Sequence, residues 1–138
     1  MAITRSETQV TWSAANSVDV TVIGGNQTSD VVTLDDTCVG ASITLKADNS
    51  TTPASDDIIY FWWLMSGGDP DGASTDEYDT TGHALLLARL DTSVEDPALL
   101  TVSLPHIPKK GKLYADRVTA GTTNTITVSA TIEEQRAA

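Results

Sequence analysis

Apolar and polar residues alternate along much of the chain. In Val18-Asp19-Val20-Thr21-Val22 every second side chain is apolar, and residues 41–47 repeat the pattern with Ile43 and Leu45 inward and Thr44 and Lys46 outward. A two-residue period belongs to a strand with one buried face. Residues 125–132 alternate through Ile126, Val128, Ala130 and Ile132. Residues 112–119 do so with Leu113, Ala115 and Val118 inward and a bulge between them. Further strands are expected at residues 8–12, 17–23, 30–34 and 99–104, the last ended by Pro105 and Pro108. The apolar run 84–90 suits a buried strand or a short helix. Gly82 and Asp91-Thr92 bound it tightly, which favours the strand.

One stretch departs from the alternation. Ile58-Ile59-Tyr60-Phe61-Trp62-Trp63-Leu64-Met65 is apolar throughout. As a strand it places Tyr60, Trp62 and Leu64 on one face and Ile59, Phe61 and Trp63 on the other. Both faces then need cover: one from the domain's own core, the other from a loop or another chain. The interface residues expected on this basis are Phe61, Trp63 and Leu86.

The segments between strands are turn-formers: Gly24-Gly25-Asn26-Gln27, Asp35-Asp36-Thr37, the Asn, Ser, Thr and Pro residues of 48–57, and Gly121-Thr122-Thr123-Asn124. Residues 67–82 form a longer acidic loop, and loops of that length fold back locally or serve a contact. About eight or nine short strands without a helix predict an all-β chain, a single antiparallel β-sandwich or small barrel over residues 1–138. Residues 1–9 are too polar to bury against their own core. They are expected to form an extended N-terminal arm, ordered by strand pairing or by docking Ile3 on a neighbour.

Charge narrows the functional classes. The 138 residues carry a formal net charge of −11, which repels phosphate backbones and disfavours nucleic-acid binding. No apolar run is long enough for a membrane-spanning helix. The start of the chain lacks the apolar stretch of a secretory signal, so no export is expected. A single cysteine, Cys38, excludes an internal disulfide framework and a cysteine-rich zinc site.

Candidate chemistry is sparse. Asp69, Asp71, Asp76, Glu77 and Asp79 lie in one loop, where clustered carboxylates suggest calcium, but Ala73 and an early Gly72 break the EF-hand spacing. An acidic turn loop with no metal is the expected reading. His83 and His106 lack a nucleophile signature, and Asp35-Asp36 disfavours a Cys38 thiolate. Trp62 and Trp63 point to opposite faces of a strand, so they cannot make one flat sugar-stacking platform. Lys109, Lys110 and Lys112 form the one cationic cluster, either a solvated turn or a docking point for an acidic partner.

Three stretches resemble small structural proteins of tailed-bacteriophage virions: Thr37-Cys38-Val39-Gly40-Ala41, the segment from Gly68-Asp69-Pro70-Asp71-Gly72 to Glu77-Tyr78-Asp79-Thr80, and Lys110-Gly111-Lys112-Leu113-Tyr114-Ala115. The resemblance implies a non-enzymatic capsid decoration (cement) protein, or else a tail or neck component. It implies assembly in the host cytoplasm and residence on the capsid surface. The implied partners are the major capsid protein and further copies of the chain as a dimer or trimer. No cofactor, metal, nucleic acid or membrane is expected. A receptor-binding or carbohydrate-binding β-sandwich module is the alternative, motivated by Tyr60, Trp62, Trp63 and the acidic loop.

Overall fold

The computed structural model describes residues 2–21, 25–53, 57–104, 109–119 and 124–137, with the side chains of Val118 and Thr119 excepted. The strands are β1 (Ile3–Gln9), β2 (Val18–Val20), β3 (Asn26–Thr28), β4 (Val32–Thr33), β5 (Cys38–Asn49), β6 (Ile58–Gly68), β7 (Glu77–Tyr78), β8 (Leu85–Asp91), β9 (Ala98–Ser103), β10 (Lys110–Thr119) and β11 (Ile126–Ala137). They form two antiparallel sheets packed face to face as a β-sandwich. In the first sheet β1 and β2 follow one another along one edge of β11, and β5 and β9 lie beyond it. In the second, β3 and β4 share one edge of β10, β6 lies beyond it, and β7 and β8 share the far edge of β6.

Alternation sets what lies between the sheets. Ile43 and Leu45 of β5, with Ile126, Val128, Ala130 and Ile132 of β11, are buried against Ile59, Phe61, Trp63, Leu113 and Ala115 of the second sheet. The run 84–90 is strand β8, and the irregularity expected in β10 falls between Asp116 and Thr119. The long acidic loop folds back, laying β7 along the end of β6. Val22, Ile23, His106 and the prolines at 105 and 108 lie outside the described residues.

Two expectations need correction. Residues 3–9 are ordered by strand pairing, one of the two expected causes, but within the chain and not as an arm extended to a neighbour. They form β1, paired with the chain's own β11 from Ile3↔Ala137 to Gln9↔Thr131. Backbone ladder bonds need no apolar side chains, so a polar segment can be ordered by its own sheet edge. An Arg5–Glu133 ion pair at 3.3 Å sits on the same ladder.

Phe61 and Trp63 are not interface residues either. They are 0% and 1% exposed because their face of β6 is the inner one. On β10, Arg117 follows Leu113 and Ala115 on the inward parity and is fully buried. Its guanidinium bonds Asp57 Oδ1 at 3.1 Å, the Val20 carbonyl at 3.3 Å and Asn124 Oδ1 at 2.6 Å, and also donates to the Asn124 carbonyl. Asn49 and Thr92 complete this polar knot at the end of the sandwich.

The break between β1 and β2 is a tight turn at residues 12–15, with Ser13 and Ala14 both at positive φ. Asp30 holds it. The carboxylate accepts the Ser13 N–H at 3.1 Å, the Ala14 N–H at 2.9 Å and the Thr11 hydroxyl at 2.7 Å. These donors, Ala14 first, keep the Asp30 carboxyl below the ordinary carboxylate range. A depressed folded-state pKa contributes stability above the unfolded value that is lost as pH falls through the folded value. Asp30→Asn is therefore expected to lower stability at neutral pH and to flatten the acid limb of a stability–pH curve. Urea midpoints across the acid range check this; an unchanged acid limb would show that Asp30 is not the titrating anchor.

Candidate functional site

With Ile59, Phe61 and Trp63 turned inward, the opposite parity of β6 forms the outer face of the second sheet. Tyr60 lies between Arg89 of β8 and Asp116 of β10. Trp62 lies between Leu86 and Tyr114, and Leu64 is opposite Lys112. The Lys112 ammonium stands 4.4 Å from the centre of the Tyr78 ring, close enough for a cation–π contact. Tyr60, Trp62, Tyr78 and Tyr114 are all half-buried, and Leu86 is 47% exposed. The result is an aromatic strip on the outside of a sheet whose inside is already filled.

Polar groups border the strip. Lys110 bonds Asp76 at 3.0 Å, which raises its pKa through that hydrogen bond and the carboxylate's charge. Burial raises the Tyr114 hydroxyl pKa, with Asp116 adding to it, and burial alone raises the Asp116 carboxyl. Rings that present an apolar body and a polar rim suit a contact surface that is wet when free and dry when covered.

The expected site residues are dispersed. Leu86 belongs to the aromatic strip. Ile3 is half exposed at the end of β1, on the other sheet. The lysines do not present one cationic patch, since Lys109 pairs with Asp36, Lys110 with Asp76, and Lys112 covers Tyr78. Tyr114 and Tyr78 were not anticipated on the face. Their place depends on the register of β10 and β7 against β6, which no local spacing encodes. The opposed directions of Trp62 and Trp63 follow the period-two rule, with Trp63 in the core.

The remaining candidates have structural partners. Asp69 accepts the Ala73 and Ser74 N–H groups at 2.9 and 2.6 Å, so it shapes its own loop. Among the described residues no group of three or more His, Cys, Asp or Glu could hold a metal ion. His83 is exposed at the end of a short 3-10 helix. The Cys38 thiol donates to the Gly40 carbonyl at 3.3 Å; its pKa is pushed up, by burial first, with Glu134 and Asp35 adding to the shift. A cleft of about 200 Å³ opens between β1 and β4, lined by Val10, Val31, Leu34 and Ile132 with Glu134 on its wall. That carboxylate is already engaged by the Asp35 N–H at 3.2 Å and Arg136 Nε at 2.8 Å.

No protein-family model and no curated protein matches the chain. Among the described residues no helix is long and apolar enough to cross a membrane.

Proposed function

We propose that this chain is a non-enzymatic structural protein of a tailed-bacteriophage virion that decorates the assembled head, docking through the outer face of the second sheet. The supporting observation is the strip of Tyr60, Trp62, Leu86 and Tyr114, over which no further strand is laid among the described residues; Leu86 is exposed, the rings keep part of their surface, and only Leu64 at the strip's end is buried. Aromatic residues of this kind supply the energetic centre of protein interfaces. The lysines and acids around it would form the polar rim. The mechanism is mass action: a protein that binds only the assembled shell stabilises that shell.

Mixing the protein with capsids that lack it should give saturable binding and a higher disruption temperature. Trp62→Ser should weaken that binding about thirtyfold, the effect of losing about 2 kcal/mol at an interface centre, while the protein's own melting falls less than it does for Trp63→Ser. Absence of capsid binding, or labelling confined to tails, would remove the decoration reading.

The gathering of Tyr60, Trp62 and Tyr114 on one face also favours a second reading, a carbohydrate-binding module. Glycan-array binding that disappears in Trp62→Ser, without capsid binding, would select it.

A further inference from the structure

The far edge of the first sheet is open. β9 pairs with β5 on one side and, among the described residues, with no strand on the other. The Leu104 N–H donates to the Ala41 carbonyl at 3.0 Å, which makes residues 41 and 104 a hydrogen-bonded pair. In an antiparallel ladder such pairs alternate with non-bonded ones, so residues 98, 100 and 102 spend their backbone groups on β5. Leu99, Thr101 and Ser103 direct theirs outward. The Thr44 and Thr101 hydroxyls, 2.8 Å apart, fit this phase, because side chains approach closer at non-bonded pairs.

The other edges are broken or charged. β1 carries Arg5 and Glu7 and is cut from β2 by the Ser13-Ala14 turn. β3 and β4 are short pieces, and the 3-10 helix separates β7 from β8. Charge, brevity and interruption are the usual guards against edge pairing. β9 has none of them: Ala98-Leu99-Leu100-Thr101-Val102-Ser103 is an uncharged run on a chain of net charge −11, with Leu99 58% and Leu100 43% exposed.

We propose that β9 is a dimerisation edge, on which a second copy of this chain pairs antiparallel about a two-fold axis at Thr101, so that the two first sheets become one continuous sheet. The register follows from the outward groups. Thr101 meets the partner's Thr101, and Leu99 and Ser103 meet the partner's Ser103 and Leu99, each pair exchanging two hydrogen bonds. The same register sets Leu100 opposite the partner's Val102 on the core side of the sheet, an apolar side chain against an apolar one. This self-complementarity is what selects a copy of the chain over an unrelated strand. A six-residue ladder is a small interface, so association in the micromolar range is expected. The aromatic face of the second sheet takes no part, and capsid docking stands or falls separately.

Sedimentation velocity over a concentration series should show monomer giving way to dimer. Hydrogen exchange over the same series should show the amides of Leu99, Thr101 and Ser103 becoming protected, while those of Leu100 and Val102 are protected throughout. Thr101→Pro deletes an outward N–H that pairs with no strand among the described residues. It should weaken association about tenfold or more, with a small drop in melting temperature from the lost Thr44–Thr101 hydroxyl contact. The proposal is overturned by a wild-type protein that stays monomeric at every concentration, by dimerisation that leaves those three amides unprotected, or by a folded Thr101→Pro variant that dimerises as tightly as wild type. If that variant does not fold, the exchange pattern of the wild-type protein decides alone.

Discussion

Asp57→Ala is expected to cost about 3–5 kcal/mol of folding stability, a large share of what a domain of this size possesses. Asp57 and Arg117 are both fully buried and paired at 3.1 Å. Removing the carboxylate leaves a guanidinium in the interior whose other partners among the described residues are carbonyl and amide oxygens. The loss spreads, because Asp57 Oδ2 also accepts the side-chain amides of Asn49 and Asn124, at 3.2 and 3.0 Å. The double replacement Asp57→Leu with Arg117→Met removes both charges and should recover much of the loss, since burying an ion pair carries a desolvation penalty that apolar side chains avoid. Urea denaturation of the two variants checks this. A single variant that loses less than about 1 kcal/mol would mean that the pair is not closed in solution.

The second large effect separates neighbouring tryptophans. Trp63→Ser should cost about 3–5 kcal/mol of stability through the cavity it leaves, whereas Trp62→Ser, on the partly exposed face, should cost less stability and act on binding. The Trp63 indole lies across Gly111, where a Cβ would overlap the ring. Gly111→Ala is therefore also expected to destabilise, by about 1–3 kcal/mol through overpacking. Equal and small losses for both tryptophans would show that neither ring packs as described.

The sandwich was legible wherever one face of a strand is polar. Ile126, Val128, Ala130 and Ile132 declare their burial because Thr127, Ser129 and Thr131 between them cannot share it. The same rule is silent for β6. Period two divides Tyr60, Trp62 and Leu64 from Ile59, Phe61 and Trp63, but which set turns inward depends on what the neighbouring strand leaves room for. Gly111, set between two lysines, carried that information, since a glycine inside a strand marks a close approach. It reads as a turn residue until β10 is placed beside β6. The burial of Arg117 is illegible for a different reason. A charged residue is assigned to solvent by default, and only the convergence of Asp57, Asn124 and the Val20 carbonyl makes its burial tolerable. The place of Tyr114 in the aromatic strip rests on the register of β10 against β6, strands about fifty residues apart in the chain, which no local pattern contains.

The position of β11 bears on when the molecule can form. It is the last of the described strands, yet it runs through the interior of the first sheet, with β1 and β2 on one side and β5 on the other. During synthesis the first two strands have no sheet to join until β11 emerges, and the inner faces of β5 and β6 wait with them. Pairings this distant along the chain fold slowly, because a long loop must close before any contact rewards it. Folding is therefore a late, concerted event, and a nascent chain halted before Ile126 presents the Ile59, Phe61 and Trp63 face as a substrate for chaperones.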